Sequence, residues 1–152
     1  MIVEIVDARP DSEAAQELIE ELEAALSAVY PAESRHGYSV EKLLRQGVAF
    51  FVIRYNGEPA GCGGVQLYGT EYGELKRMYV RPQFRGMGLG KLMIAHIEKY
   101  AREQSVRLLR LETGVHQLAA IGLYEQSGFK SIGPFGEYHD DPLSLFYEKA
   151  MA

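Results

Sequence analysis

Residues 72–92 read Tyr-Gly-Glu-Leu-Lys-Arg-Met-Tyr-Val-Arg-Pro-Gln-Phe-Arg-Gly-Met-Gly-Leu-Gly-Lys-Leu. Within them, Glu74–Val80 is rich in long and β-branched side chains and reads as a strand. Pro82 cannot donate to a strand ladder, so the strand ends near Arg81. Gly86, Gly88 and Gly90 follow at every second position. Beyond them Leu89, Leu92, Met93, His96, Ile97 and Tyr100 recur at three- and four-residue steps, the face of a helix ending near Gln104. A glycine at a strand-to-helix turn lets backbone approach a ligand closely, and the helix start offers unpaired N–H groups and the positive end of its dipole. That is a site for phosphate or pyrophosphate, with Arg85 and Lys91 adding charge of the right sign.

Two phosphate-binding motifs can be compared with this loop. A P-loop requires Gly-x-x-x-x-Gly-Lys-Ser/Thr, but Gly90-Lys91 is followed by Leu92 and Arg85 stands five positions before Gly90. A Rossmann fingerprint requires a third glycine where Lys91 stands. Glu112 lies at a suitable distance for a ribose-binding acid, so dinucleotide binding stays open as an alternative. The pattern Arg85-x-x-Gly88-x-Gly90 resembles the Arg/Gln-x-x-Gly-x-Gly/Ala loop of the GNAT superfamily of acyl-CoA N-acyltransferases, which holds the pyrophosphate of coenzyme A. A second run, Gln117-x-x-Ala120-x-x-x-Tyr124-x-x-x-Gly128-Phe129, is similar to the family's Asn-x-x-Ala-x-x-x-Tyr-x-x-x-Gly-Phe, with Gln117 where Asn is usual. The resemblance is strongest over residues 74–129.

Length and composition suit one domain of 152 residues with a genuine core. No apolar run approaches a membrane span, and the start of the chain lacks a signal-peptide pattern, so the expected location is the cytoplasm and no membrane partner is expected. The single cysteine, Cys62, excludes an internal disulfide and reads as a small buried residue. Four histidines without metal-like pairing argue against a metal. The net charge of −5 is uneven: residues 76–110 carry 9 basic and 2 acidic side chains, whereas residues 1–75 carry 5 and 13. A local basic segment around the glycine loop suits a small anionic ligand. The acidic remainder excludes broad nucleic-acid binding.

Around the central stretch, residues 2–6 read as a first strand. A helix capped by Asp11 or Ser12 follows to about Val29, with Leu18, Leu22, Ala25, Leu26 and Val29 as its buried stripe. Ser39 caps a short helix through Arg45. Val48–Tyr55 and Pro59–Leu67 form a hairpin about Asn56-Gly57. Val106–Thr113 is the strand that closes a right-handed βαβ crossover. Residues 116–128 form the last helix, ended by Gly128 and Phe129. Short strands follow at Lys130–Ile132 and Leu143–Lys149. The resemblance implies an α/β (α+β) fold: a mixed, mostly antiparallel sheet of about six to seven strands with a splayed parallel pair, flanked by about four helices.

Transfer of an acyl group from a thioester to an amine needs a neutral amine, a stabilised oxyanion and a proton for the leaving thiolate. The resemblance assigns these needs to particular residues. Tyr124 takes the general-acid position, and Glu74 is the leading general base, with Glu33, His36, Glu112 and His139 as competitors. The backbone of Met78, Tyr79 and Val80 lies along the pantetheine arm and supplies the oxyanion N–H. Arg85, Gly86, Met87, Gly88, Leu89, Gly90 and Lys91 hold the pyrophosphate, and Gln117 with Tyr124 completes the acetyl-CoA site. Arg35, His36, Arg77 and Tyr138 border the acceptor, with Arg77 expected on the strand face opposite Glu74 and Lys76. The function implied is an acetyl-CoA-dependent N-acetyltransferase acting on the primary amine of a small molecule. A coenzyme-A-binding sensor without catalysis, and an acetyltransferase for a protein or peptide amine, are the alternatives. Many GNAT proteins pair through terminal strands, which leaves a homodimer open.

Overall fold

The computed structural model describes all 152 residues. Its strands are β1 (Val3–Asp7), β2 (Ala49–Tyr55), β3 (Glu58–Tyr68), β4 (Tyr72–Val80), β5 (Leu108–Gly114), β6 (Lys130–Ile132) and β7 (Ser144–Ala150). The helices are α1 (Glu13–Ser27), α2 (Val40–Arg45), α3 (Leu89–Glu103) and α4 (Leu118–Gln126). All seven strands form one sheet in the order β1-β2-β3-β4-β5-β7-β6, antiparallel except for β4 against β5. This is the expected architecture, with every strand within about two residues of its predicted bounds.

Local chemistry sets the connections. Asn56 and Gly57 both hold positive φ, as a two-residue hairpin turn requires. Ser12 and Ser39 cap α1 and α2 by accepting from Ala15 N and Lys42 N. α3 and α4 cover one face of the sheet, where Met93, Ile97, Leu109 and Leu111 are almost wholly buried. Burying each contributes about 1.5–3 kcal/mol. α1 and α2 cover the other face around Leu18, Leu43, Val52 and Cys62.

Three details of this fold place the site. First, the parallel pairing of β4 with β5 is confined to Gly73↔Leu109 and Glu74↔Arg110. β4 continues to Val80 and β5 to Gly114, so the two strands diverge and leave a gap between them.

Second, the β3–β4 register slips between Cys62↔Tyr79 and Gly64↔Lys76, leaving Arg77 and Met78 opposite the single residue Gly63. This bulge holds Arg77 at φ 53, a left-handed conformation that costs a non-glycine residue about 1–2 kcal/mol. It also corrects the expected direction of Arg77. Simple alternation would send it away from Lys76, but the extra residue turns both toward Tyr38. Arg77 Nε donates to the Tyr38 carbonyl at 2.9 Å, and Lys76 Nζ sits 3.9 Å over the Tyr38 ring.

Third, α1 buries Ala15, Leu18, Ile19 and Leu22, but not the second half of its predicted stripe. Val29 lies beyond the helix end and is 51% exposed. Ala25 and Leu26 line cavities beside the sheet instead of packing on it. The stripe is continuous in the sequence, yet the diverging strands leave nothing for its end to cover.

Candidate active site

Three neighbouring cavities lie beside β4, and the middle one occupies the gap between β4 and β5. A mainly apolar groove of about 470 Å³ lies between α1, the end of β4 and α4. A narrow passage of about 120 Å³ follows, and it shares Leu22, Met78, Gln117, Ala120 and Tyr124 with the groove. Beyond it lies a polar cleft of about 510 Å³, which shares Arg35, His36 and Gly37 with the passage.

The glycine loop stands at the open end of the groove. Gly86 and Gly88 have φ of 81° and 78°, and a Cβ at either would meet nothing within 4 Å. Their need is therefore conformational, and the space above them is free. Gly90 serves a different purpose, since a Cβ there would come within 2.7 Å of Leu123, so α3 and α4 approach closely at this point. Gly88 is the N-cap of α3 and offers no side-chain bond. The first-turn N–H groups of Leu89, Gly90 and Lys91 thus face outward for an anion. Met87 and Lys91 are exposed, and Arg85 donates Nε to the Val80 carbonyl at 3.0 Å.

Tyr124 is fixed by the end of its own helix. Phe129 N donates to Tyr124 O at 3.0 Å and Gly128 N to Glu125 O at 3.2 Å, with Gly128 at φ 92. This is the Schellman pattern, and Phe129 packs edge-on against the Tyr124 ring. The ring is 5% exposed, lines both the groove and the passage, and its hydroxyl has no protein partner. Burial, with a smaller contribution from Glu112, pushes its pKa further above the ordinary tyrosine range. It stays a proton donor at all physiological pH.

Glu112, on β5, lines the passage. Ser144 Oγ donates to its Oε2 at 2.9 Å, and Oε1 has no protein partner. Burial raises its pKa, and the neighbouring Glu74 adds to the shift against the opposing Ser144 bond and His36. A carboxylate raised toward neutrality is a better proton acceptor at working pH.

Glu74 occupies a different position. Its side chain is 3% exposed and borders the cleft, where Lys76 Nζ donates to Oε2 at 2.8 Å and the Tyr138 hydroxyl donates at 2.5 Å. Tyr138, pressed among aromatic rings and beside Glu74, is shifted strongly upward by burial first and by Glu74 second. Glu74, Lys76, Tyr138 and Tyr38 thus form one closed group in the cleft wall. Arg35 and Arg77 converge on a single carboxylate, Glu23, at 2.9 and 2.8 Å. Burial raises the Glu23 pKa, but the bond from Arg77 and the two positive charges outweigh it and the net shift is downward. His36 lies between passage and cleft, 3.8 Å from Asp141. Glu33 and His139 are exposed and line none of the three cavities. The Cys62 thiol is buried and pushed up to about 12 by desolvation, so it is inert.

Tyr30 carries a role that its position in an irregular stretch did not signal. Its hydroxyl donates to Gln117 Oε1 at 3.2 Å and accepts from His116 N at 2.9 Å. A Cβ at Gly114 would overlap that hydroxyl. Tyr30 therefore ties the chain after α1 to the start of α4 and fixes Gln117 at the groove. Glu23 and Ser144 were likewise overlooked, since nothing local marks a helix-surface glutamate or a strand serine as part of a site.

Comparison with known proteins agrees with this geometry. The profile of the Acetyltransferase (GNAT) family matches residues 13–129. The chain is 44% identical over 151 residues to an IAA acetyltransferase of Azospirillum brasilense, covering 98% of each protein. Its fold superposes with a TM-score of 0.85 on an acyl-CoA N-acyltransferase structure from Klebsiella pneumoniae, 36% identical over 99% of both chains. It also superposes with a TM-score of 0.78 on the PaiA N-acetyltransferase of Thermoplasma acidophilum in complex with coenzyme A, 22% identical over 99% of both chains. The chain belongs to the GNAT acetyltransferase family and is an acyltransferase. No helix is long and apolar enough to cross a membrane.

Proposed function

We propose that the protein moves the acetyl group of acetyl-CoA to the primary amine of a small molecule, by direct attack while both substrates are bound. The observation that carries this reading is the junction at the passage. There Tyr124, with its unpartnered hydroxyl, and the raised carboxylate of Glu112 line the same passage between an apolar groove and a polar cleft, and the Glu112 charge is felt at Tyr124. The groove and loop fit coenzyme A by their own features: two positive-φ glycines with open space above them, an uncapped helix start and an apolar channel leading inward. Leu89, Gly90 and Lys91 would bind pyrophosphate through backbone N–H groups. Met78, Tyr79 and Val80 would flank the pantetheine arm, and Gln117 its inner end. Similarity to a relative named for IAA supports a discrete acceptor molecule.

In this scheme the bulge at Arg77 and Met78 frees backbone N–H from the ladder where the thioester oxygen would develop charge. Tyr124 gives its proton to the departing thiolate. Two carboxylates compete for the amine proton. Glu74 is tied to Lys76 and Tyr138 in the cleft wall, whereas Glu112 lines the passage with one oxygen free. The geometry favours Glu112 as general base, with Glu74 holding the cleft wall in place beside the acceptor.

Thermal unfolding with acetyl-CoA, coenzyme A and NAD tests the co-substrate. A ligand at about 100 times its Kd adds about 2.7 kcal/mol, a rise of roughly 5–10 °C in Tm at this size. The expected rise comes with acetyl-CoA and coenzyme A. A rise with NAD alone would replace the acyltransferase chemistry proposed for this loop with dinucleotide binding.

A further inference from the structure

The polar cleft has two ends of different chemistry. One adjoins, at Arg35, His36 and Gly37, the passage that holds Glu112 and Tyr124. The other lies between α2 and β3, where Lys42, Gln46 and Gln66 line it. Arg35 and Lys76 have carboxylate partners in Glu23 and Glu74. Lys42 has none: its Nζ lies 4.4 Å over the Tyr38 ring and pairs with no acidic side chain. Lys42 and Gln46 stand one helical turn apart, so their side chains share a face.

Gln66 supplies an independent sign of a ligand. It is 6% exposed and lines the cleft, and its Nε2 donates to Gln46 Oε1 at 3.2 Å, while its Oε1 is buried without any partner. A buried amide atom left unmatched costs free energy, and a polar ligand group would remove that cost. Rotating both amides by half a turn keeps their mutual bond and presents Gln66 Nε2 instead, so the pair can serve as donor as well as acceptor.

Between the two ends the walls are aromatic. Tyr38, Tyr68, Tyr72 and Tyr138 all line the cleft, and Tyr68 stacks on Tyr72 with centroids 4.7 Å apart. Flat faces of this kind suit a ring. The unmatched charge at the far end is a single ammonium, which suits a monoanion. A dianion would be left in excess, with Glu74 and Glu137 along the same cleft.

We infer that the acceptor is an aromatic primary amine carrying a carboxylate at the end remote from its amino group. The carboxylate meets Lys42, with Gln46 and Gln66 completing its hydrogen bonds. The ring lies among the tyrosines, and the amine reaches the passage. The fate of the amine rests on the acetyltransferase reading above, but the place of the carboxylate does not.

The test is calorimetric titration of the coenzyme-A-loaded protein with para-(aminomethyl)benzoate, its carboxamide and benzylamine, followed by acetylation kinetics with the same three. The benzoate is expected to bind at least tenfold more tightly than either analogue lacking the carboxylate and to show the highest kcat/KM. Lys42→Gln should cut that preference below threefold, and Lys42→Arg should restore most of it. Equal affinity for all three, or a preference unmoved in Lys42→Gln, overturns the inference, whether or not acetylation occurs. Tight, Lys42-dependent binding of the benzoate without turnover upholds the carboxylate site and overturns the reading of this amine as the acetyl acceptor instead.

Discussion

Replacing Glu112 by Gln separates the two candidate bases, because the substitution changes charge and leaves shape almost untouched. The amide oxygen can still accept the Ser144 bond that Glu112 Oε2 accepts at 2.9 Å, so β5 and β7 remain joined. What is lost is the ability to take a proton in the passage. General-base catalysis contributes about 10²–10⁴-fold, so kcat should fall by that factor, equivalent to roughly 3–5 kcal/mol of barrier. The pH profile gives the sharper readout. Wild-type kcat/KM should rise with pH through a pKa above the usual carboxylate range, and the Gln variant should lose that limb. Stability should move the other way. A carboxyl whose pKa is raised on folding holds its proton more tightly in the native state, so native stability falls as pH rises from the unfolded pKa through the folded one. Glu112→Gln removes that penalty, so at pH 7 its Tm should equal or exceed wild type. The assay is thiol release with a saturating amine, alongside thermal unfolding at pH 5 and pH 7. A variant that keeps kcat within threefold and retains the ascending limb would refute the base assignment, and Glu74→Gln would then be the variant expected to lose both.

Tyr124→Phe removes a hydroxyl that has no protein partner, so the fold should be retained; kcat should drop about 10²-fold at neutral pH with coenzyme A affinity within threefold. A fully active variant would end the general-acid role. At Gly88 the left-handed φ of 78° meets open space, so Gly88→Ala should lose about 1–2 kcal/mol through backbone strain alone, and Gly88→Asn less than half of that because Asn tolerates this region. Urea unfolding reads the difference, and equal losses for Ala and Asn would contradict the conformational argument.

Periodicity and turn chemistry are local, and most of this protein's elements are local in that sense. The Asn56-Gly57 hairpin, the serine caps of α1 and α2, the glycine-marked start of α3 and the Gly128-Phe129 end of α4 each depend on residues a few positions apart. They could be read without any tertiary contact, and with them the loop for an anion and the helix that carries Tyr124. Other features depend on what is absent from the neighbourhood in the chain. The bulge at Arg77 is a mismatch in length between two strands, and it reversed the side expected for that residue. The C-terminal part of α1 has the pattern of a core stripe, yet the divergence of β4 from β5 removes the surface it would cover and makes it a cavity wall. Glu112 shares its passage with Tyr124 only because β5 lies next to β4 and α4 folds back across the gap. Its raised pKa comes from burial that the fold, and no residue adjacent in the chain, provides. Spacing along the chain thus determined which groups could do chemistry, whereas strand pairing and burial decided which of them meet.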